Sequence, residues 1–458
     1  MSDVTVRAYA SFIALAPLAE EIDALNARSR RPCPFSTYEF QRTYVDNDEF
    51  FPEQRGLEIL FLCAFDGPRL VGFLALRRKR GWFGKTVEFL VTHDTDRPHM
   101  IAAPEDEPRC AQAFMHYLFE VDRDWSMLNF AQQETSVPPA SALLSAAPRQ
   151  HLFRAFECMP NSTLAIHWAT PRDYFRSLSK KHRQNTERGA RRLFDAGVLE
   201  HVFSNDAKMR DTLLDLYLTV EARSWKHSAA GTIGRDARRV QFFHELCSAA
   251  QPLALSFHFL CLDGVPIAGM INGSFNNTLY AMQISHDAAY DPLGPGNLLL
   301  LLSIEQAIEE RCRAFNLLSG FSYYKERWLA RTTPTHSVQV FKPYTLRHLK
   351  VRLGDLKRVL LSLRPQAAVD HNMAKIKGRE LEPDVVARSR AESAARLASF
   401  AAHAMTRRGG AELAAYLPFE LGASLPFELG ASCERSDSRR DAHASRCTTR
   451  HGACRSTR

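Results

Sequence analysis

None of the ten cysteines forms a Cys-x-x-Cys pair, and no histidine spacing near them suggests a zinc site. Zinc-ribbon and thioredoxin-like readings are therefore excluded, and no metal is expected. Cys63, Cys247, Cys261 and Cys312 sit inside apolar runs and read as buried, reduced thiols. The first residues, Met-Ser-Asp-Val-Thr-Val-Arg, have no basic stretch followed by an apolar core, so no signal peptide is expected. Long apolar runs are also lacking. The longest, around Leu298 to Leu302, is broken by Ser303, Glu305 and Gln306, too soon to cross a bilayer. A soluble cytoplasmic protein is the expectation. The excess of positive charge is modest: the net charge is +8 with a pI near 9.0. About half of it comes from Cys433 to Arg458, where seven arginines face three acids. Such a balance suits anionic ligands such as nucleotides without implying nucleic acid.

What is present is an α/β pattern long enough for two or three domains. A strand at 4–9 and a helix at 17–26 precede a hairpin, 57–65 and 70–76, turned by Asp66-Gly67-Pro68. A strand at 87–91, a helix at 109–121 and a strand at 127–130 follow, and Pro138, Pro139 and Pro148 mark a looser connection. A second unit opens at Thr170-Pro171-Arg172-Asp173, a helix start with an N-cap, a proline and a capping-box acid. The basic helix 174–195 is expected to end at Gly197. Helices at 209–225 and 238–250 precede a meander at 255–262, 265–275 and 278–285. A helix at 298–313, a strand at 314–318 and a short helix at 324–329 complete the unit. Phe61 to Gly67 and Phe259 to Gly264 echo each other, each with a glycine (Gly72, Gly269) six residues past the turn aspartate. The echo points to an internal duplication.

The most informative stretch is the strand-to-helix turn with Gly294 and Gly296. Glycines there leave backbone N–H groups uncovered at a helix N-terminus, an arrangement that cradles phosphate oxygens. Asp291-x-x-Gly294-x-Gly296 is neither a dinucleotide fingerprint nor a P-loop. The matching place in the first copy, Asp94 to Pro98, has no glycine, so only the second copy is expected to bind a donor. Around this turn lie Glu221-Ala-Arg-Ser-Trp-Lys226, Asp263-Gly264-x-Pro-Ile-Ala, Tyr290-Asp291-Pro292, Pro295-Gly296 and Gly320-x-x-x-Tyr324-Lys325 with Trp328. Together they resemble the CelD-like and FemAB-like branch of the GNAT superfamily of acyltransferases, whose members are often named cellulose-biosynthesis-associated acetyltransferases. The likeness covers about residues 165 to 345 well and the N-terminal part more loosely.

The resemblance implies two tandem GNAT-like domains with mixed, mostly antiparallel sheets flanked by helices. Residues 1–164 would be a degenerate first domain and 165–345 the acyltransferase domain. Residues 346–416 would be a helical extension with a basic amphipathic helix at 346–363 and an Ala/Arg/Glu-rich helix at 385–405. Residues 417–458 hold a twice-repeated Leu-Pro-Phe-Glu-Leu-Gly-Ala-Ser and a tail too polar to fold.

It also implies N-acyl transfer from acetyl-CoA or another acyl-CoA to an amine, from a small molecule or a cell-envelope precursor. Gly294, Gly296 and Asn297 would hold the donor phosphates, with Lys325 pairing a phosphate or lowering a tyrosine pKa. Tyr324 or Tyr323 would be the acid for the leaving thiolate, and Glu221, Asp287 or His286 the base. Arg223, Trp225, Lys226 and His286 would meet the acceptor. Departures are Asp291, where the family has a basic or amide residue, Asn316 in place of an aspartate, and Phe321 in an expected Arg-Gly-Asp-like turn. Each residue also has a structural reading: punctuating glycines, a core tyrosine, a tryptophan anchor with solvated charges. Two other functions stay open. One is a FemAB-type transferase using aminoacyl-tRNA, prompted by the basic helix. The other is a non-catalytic accessory of polysaccharide biosynthesis, prompted by Asn316 and Phe321.

Overall fold

Two Asp-Gly turns, Asp66-Gly67 and Asp263-Gly264, organise the molecule, with the glycines at φ +59° and +74°. Only a residue free of Cβ repulsion enters that region cheaply, and such turns match the twist of the strands they join. The computed structural model describes residues 4–47, 57–91, 94–148, 151–228, 232–248, 252–320, 323–362 and 406–419. Its strands are β1 (Thr5–Tyr9), β2 (Leu57–Asp66), β3 (Arg69–Gly81), β4 (Gly84–Phe89), β5 (Ile101–Ala102), β6 (Met127–Gln133) and β7 (Leu152–Ala165). The second half adds β8 (Leu199–Ser204), β9 (Ala254–Leu262), β10 (Val265–Phe275), β11 (Thr278–His286), β12 (Ala314–Ser319), β13 (Arg331–Phe341) and β14 (Thr406–Arg408).

They form one mixed sheet in the order β1-β2-β3-β4-β6-β13-β7-β12-β11-β10-β9-β8-β14, with β5 beside β3. Setting β14 and β5 aside, the order is a palindrome. β1 to β4 match β8 to β11, β6 matches β12, and β7 matches β13. The last strand of each half crosses to the other half, and β7 and β13 pair antiparallel at the centre. The direction of pairing repeats too: the parallel contact Thr86–Glu88 with Met127–Asn129 mirrors Thr278–Tyr280 with Ala314–Asn316. The echoed glycines have the same use in both halves. A Cβ at Gly72 would lie 2.8 Å from Cys110 Sγ, and one at Gly269 would lie 3.1 Å from Tyr217 Cδ2. Each glycine lets a helix (Glu107–His116 or Arg210–Ala222) settle on its sheet.

The core does not respect the two halves. Phe35, Phe40 and Tyr44 of the N-terminal part join the cluster built by Phe242, Phe243, Phe257 and Tyr280. Phe40 and Tyr44 meet Phe242 edge-on, with ring centroids 5.6 and 5.1 Å apart. Such contacts add about 0.5–1.5 kcal/mol each beyond burial. In the helix Pro295–Glu309 the run Leu298 to Leu302 covers more than a full turn and is buried throughout, as expected of core.

The expected helix at 174–195 is in fact two, Pro171–Ser177 and Lys180–Ala196. Leu178 is extended, and Ser179 starts the second helix by accepting the His182 amide on its hydroxyl. The expected helix at 385–405 and the octapeptide repeat beyond 419 lie outside the described residues. None of the described helices is long and apolar enough to cross a membrane.

Candidate active site

After Tyr280 and Asn316, β11 and β12 stop pairing and splay apart. The splay opens a cleft of about 550 Å³ walled by Ala281 to Ile284 on one side and Leu317 to Gly320 on the other. Trp225, Lys226, Arg239, Tyr324 and Lys325 complete its second-half lining. Asp94, Thr95, Asp96 and Gln132 enter it from the first half. No motif in the local sequence marks these first-half residues as functional. Asp94 takes Arg239 Nε on Oδ2 at 2.9 Å and Nη2 on Oδ1 at 2.5 Å. Asp96 accepts from the Ser319 hydroxyl and, at 2.6 Å, from Asn161 Nδ2, which also reaches Asn316 Oδ1 at 3.0 Å. Asn316, which stands where the resemblance expects an acid, therefore sits one amide away from an acid supplied by the other half. Asn316 Oδ1 also accepts the Leu318 amide at 2.8 Å, at a residue with φ +58°. The kinked end of β12 is thus pinned by a side chain.

Lys325, expected at the donor phosphates, lines this cleft instead. It is 4% exposed and donates to Leu318 O (2.9 Å) and Ser319 O (3.1 Å). Burial pushes its ammonium down to about 8, with Asp96 pulling the other way. Lys226 donates to Ile284 O at 2.6 Å, and burial likewise lowers its pKa, opposed by Glu221. Trp225 is exposed at the rim.

A second cavity, of about 310 Å³, lies between the basic helix and the glycine turn. Gly294 is left-handed (φ +68°, ψ +43°) and begins the helix Pro295–Glu309 with no side chain capping it. Gly294, Asn297, His182, Arg188, Arg192 and Arg327 line the cavity. Arg188, Arg192 and Arg327 enter no ion pair among the described residues. His182 Nε2 is buried without a partner, and burial lowers the ring's pKa, helped by Arg327. An uncapped helix start, unpaired guanidinium groups and an orphaned imidazole nitrogen together fit a polyanion. Asp291, the acid at the head of the turn, is directed onto His286 Nε2 at 2.7 Å. Gly296 stands outside the cavity lining, where a Cβ would lie 3.1 Å from His286 Nδ1. Its lack of a side chain makes room for that histidine.

Tyr324 lines both cavities. It is 38% exposed, partial desolvation raises the pKa of its phenol, and no hydrogen bond engages its hydroxyl among the described residues. Tyr323's side chain lies outside the described residues.

The other expected site residues are not in either lining. Asp287 and Arg223 form an ion pair at 3.0 Å, both 2% exposed, and Arg223 also donates to Pro266 O. Glu221 accepts the Gly234 amide at 2.9 Å and is buried. These three hold the helix Arg210–Ala222 and its following loop against β10 and β11. His286 is occupied by Asp291.

No curated protein matches the chain. Among solved structures, a conserved protein from Bacteroides thetaiotaomicron is 13% identical, covering 73% of this chain and all of that one, with a TM-score of 0.47. A structure titled as FemX is 10% identical over 73% of this chain and 98% of its own, with a TM-score of 0.49. A tandem GNAT protein from the clavulanic acid biosynthesis pathway is 10% identical, covers 74% and 98%, and has a TM-score of 0.39. Residues 180–326, which run from the basic helix through the glycine turn to Tyr324, match the family model described as Acetyltransferase (GNAT) domain, and this part of the chain is accordingly similar to the GNAT acyltransferases.

Proposed function

We propose that the protein is an N-acyltransferase that moves an acyl group, acetyl in the simplest case, from a coenzyme A thioester to an amine. The observation that carries the reading is Tyr324, whose side chain lines both a basic cavity and a cleft bearing carboxylates. Arg188, Arg192, Arg327, His182 and the Gly294 turn would hold the donor's phosphates. The thioester supplies the activated acyl group. In the transfer the carbon–sulfur bond breaks, the carbon–nitrogen bond forms, and Tyr324 gives its proton to the departing thiolate. A phenol is protonated near neutral pH at its ordinary pKa, and the upward shift at Tyr324 keeps it so, which suits that role. Asp96, which lines the cleft as Glu221 and Asp287 do not, would draw an acceptor ammonium and take its proton, although it too is buried and already meets Ser319, Asn161 and Arg97. A backbone N–H on the splayed end of β11 would polarise the carbonyl.

The acceptor is an amine of a small molecule or of a cell-envelope precursor, and the cleft has room for one sugar- or amino-acid-sized group. A coenzyme A donor would set the reaction in the cytoplasm. Calorimetric titration with acetyl-CoA and longer acyl-CoAs tests the reading, and the absence of binding by any of them would sink it.

The unpaired arginines of the basic cavity equally favour a second donor, the charged end of an aminoacyl-tRNA. Activity lost on ribonuclease treatment would select that donor; insensitivity would remove it.

A further inference from the structure

The β3–β4 turn carries Trp82, 99% exposed, and Phe83 beside it. Adjacent in space is the start of the helix Leu346–Ser362. Lys350 Nζ lies 4.2 Å above the Phe83 ring, and Arg347 Nη2 reaches Gly84 O at 3.5 Å. From this helix Leu346, Leu349 and Leu353 project into solvent, 54–68% exposed, and Tyr344 just before it is fully exposed. Positions i, i+3 and i+7 share one helix face, so the leucines form a stripe turned away from the core. Soluble proteins seldom leave a tryptophan, a tyrosine and three leucines bare on neighbouring elements without a use for them.

The charges around these groups say what that use is. Lys79, Arg80, Lys350 and Arg352 are exposed on the same two elements. The nearby acids are already engaged: Asp355 with Arg154, Asp124 with Lys85, and Glu58 with Arg78 and Lys85. Protruding aromatic and leucine side chains set among cations that enter no ion pair among the described residues match the boundary of a bilayer. There the rings sit at headgroup depth, the leucines enter the acyl region and the cations meet lipid phosphates. A nucleic acid would use the cations and gain nothing from the leucines.

We infer that Trp82, Phe83, Tyr344 and the Leu346-Leu349-Leu353 stripe form a docking surface for an anionic lipid bilayer, held reversibly. The inference is independent of the acyl-transfer reading.

The test is co-sedimentation of the full-length protein with phosphatidylcholine vesicles, with and without phosphatidylglycerol. The expected result is sedimentation with the mixed vesicles only, reversed by salt. Each basic residue near an anionic surface contributes roughly a fivefold factor in partitioning, so Lys350→Glu should lower binding by at least about fivefold. Trp82→Ala, at a side chain with no packing to lose, should weaken binding while leaving thermal unfolding unchanged. Protein that stays in the supernatant with mixed vesicles overturns the proposal, as does binding indifferent to both variants. Light scattering that shows a dimer dispersed by Trp82→Ala, with no vesicle binding, would assign the face to a second copy of the chain.

Discussion

Asp94 and Arg239 meet as a two-point ion pair across 145 residues of sequence, one from the loop after β4 and the other from the helix Ala237–Ser248. Their side chains are 4% and 11% exposed, so the pair closes one wall of the cleft nearly out of water. Removing one partner leaves a charge in a poorly hydrated site, which typically costs about 3–5 kcal/mol. Asp94→Ala and Arg239→Ala should each lower stability by that order in denaturant unfolding. The double variant should lose far less than the sum, because neither charge is then stranded. Additive losses would show that the two side chains do not act as a pair.

Tyr324→Phe removes only the hydroxyl that the two cavities share. If that group protonates the thiolate, kcat should fall by about 10²–10⁴, with KM for the donor nearly unchanged. A raised KM at unaltered kcat would make Tyr324 a wall of the donor cavity and not the acid. Single-turnover kinetics separates the two cases.

Much of this was legible locally. Both Asp-Gly hairpins, the echo with its two glycines and the turn at Gly294 are written in short stretches of sequence, because a tight turn and a close helix approach constrain adjacent residues. The central pair β7 and β13 was not legible. Pro160 and Pro334 interrupt both segments, and only the sheet shows that they fall where the register between the two strands slips, a place that tolerates proline. Nor does any periodicity reveal that Asp96 ends beside Asn161, Asn316 and Ser319, since those contacts form only after two half-sheets exchange strands. For the same reason the local sequence does not show that Glu221 and Asp287, acids in the right segment, are turned into the interior by folding.

The basic cavity makes a separable prediction. Arg188→Ala and Arg192→Ala remove charge-assisted contacts of about 1.5–3 kcal/mol each, so each should weaken acyl-CoA binding about tenfold or more. Both side chains are exposed, so the loss should shrink as salt rises. Calorimetry at two ionic strengths reads this directly. Unchanged affinity in the double variant would move the donor elsewhere.

Lys325 links the cleft to stability through pH. Its ammonium is buried, and its pKa is pushed down to about 8 from an ordinary value near 10.4. Below about 8 the folded and unfolded chains both carry the proton, and the folded state bears the full cost of burying the charge. Between about 8 and 10.4 the folded protein has released its proton while the unfolded chain still holds one. Stability from this site therefore rises with pH across that window, by up to about 1.4 kcal/mol per unit. Lys325→Met has no proton to release, so urea unfolding of the two proteins from pH 7.5 to 10 isolates the term. Wild type should gain on the variant as pH rises, although the variant leaves Leu318 O and Ser319 O without their donor at every pH. A difference that stays flat over the window would mean that Lys325 keeps its proton well above 8. In that case it would act in the cleft only as a fixed cation tying down the end of β12.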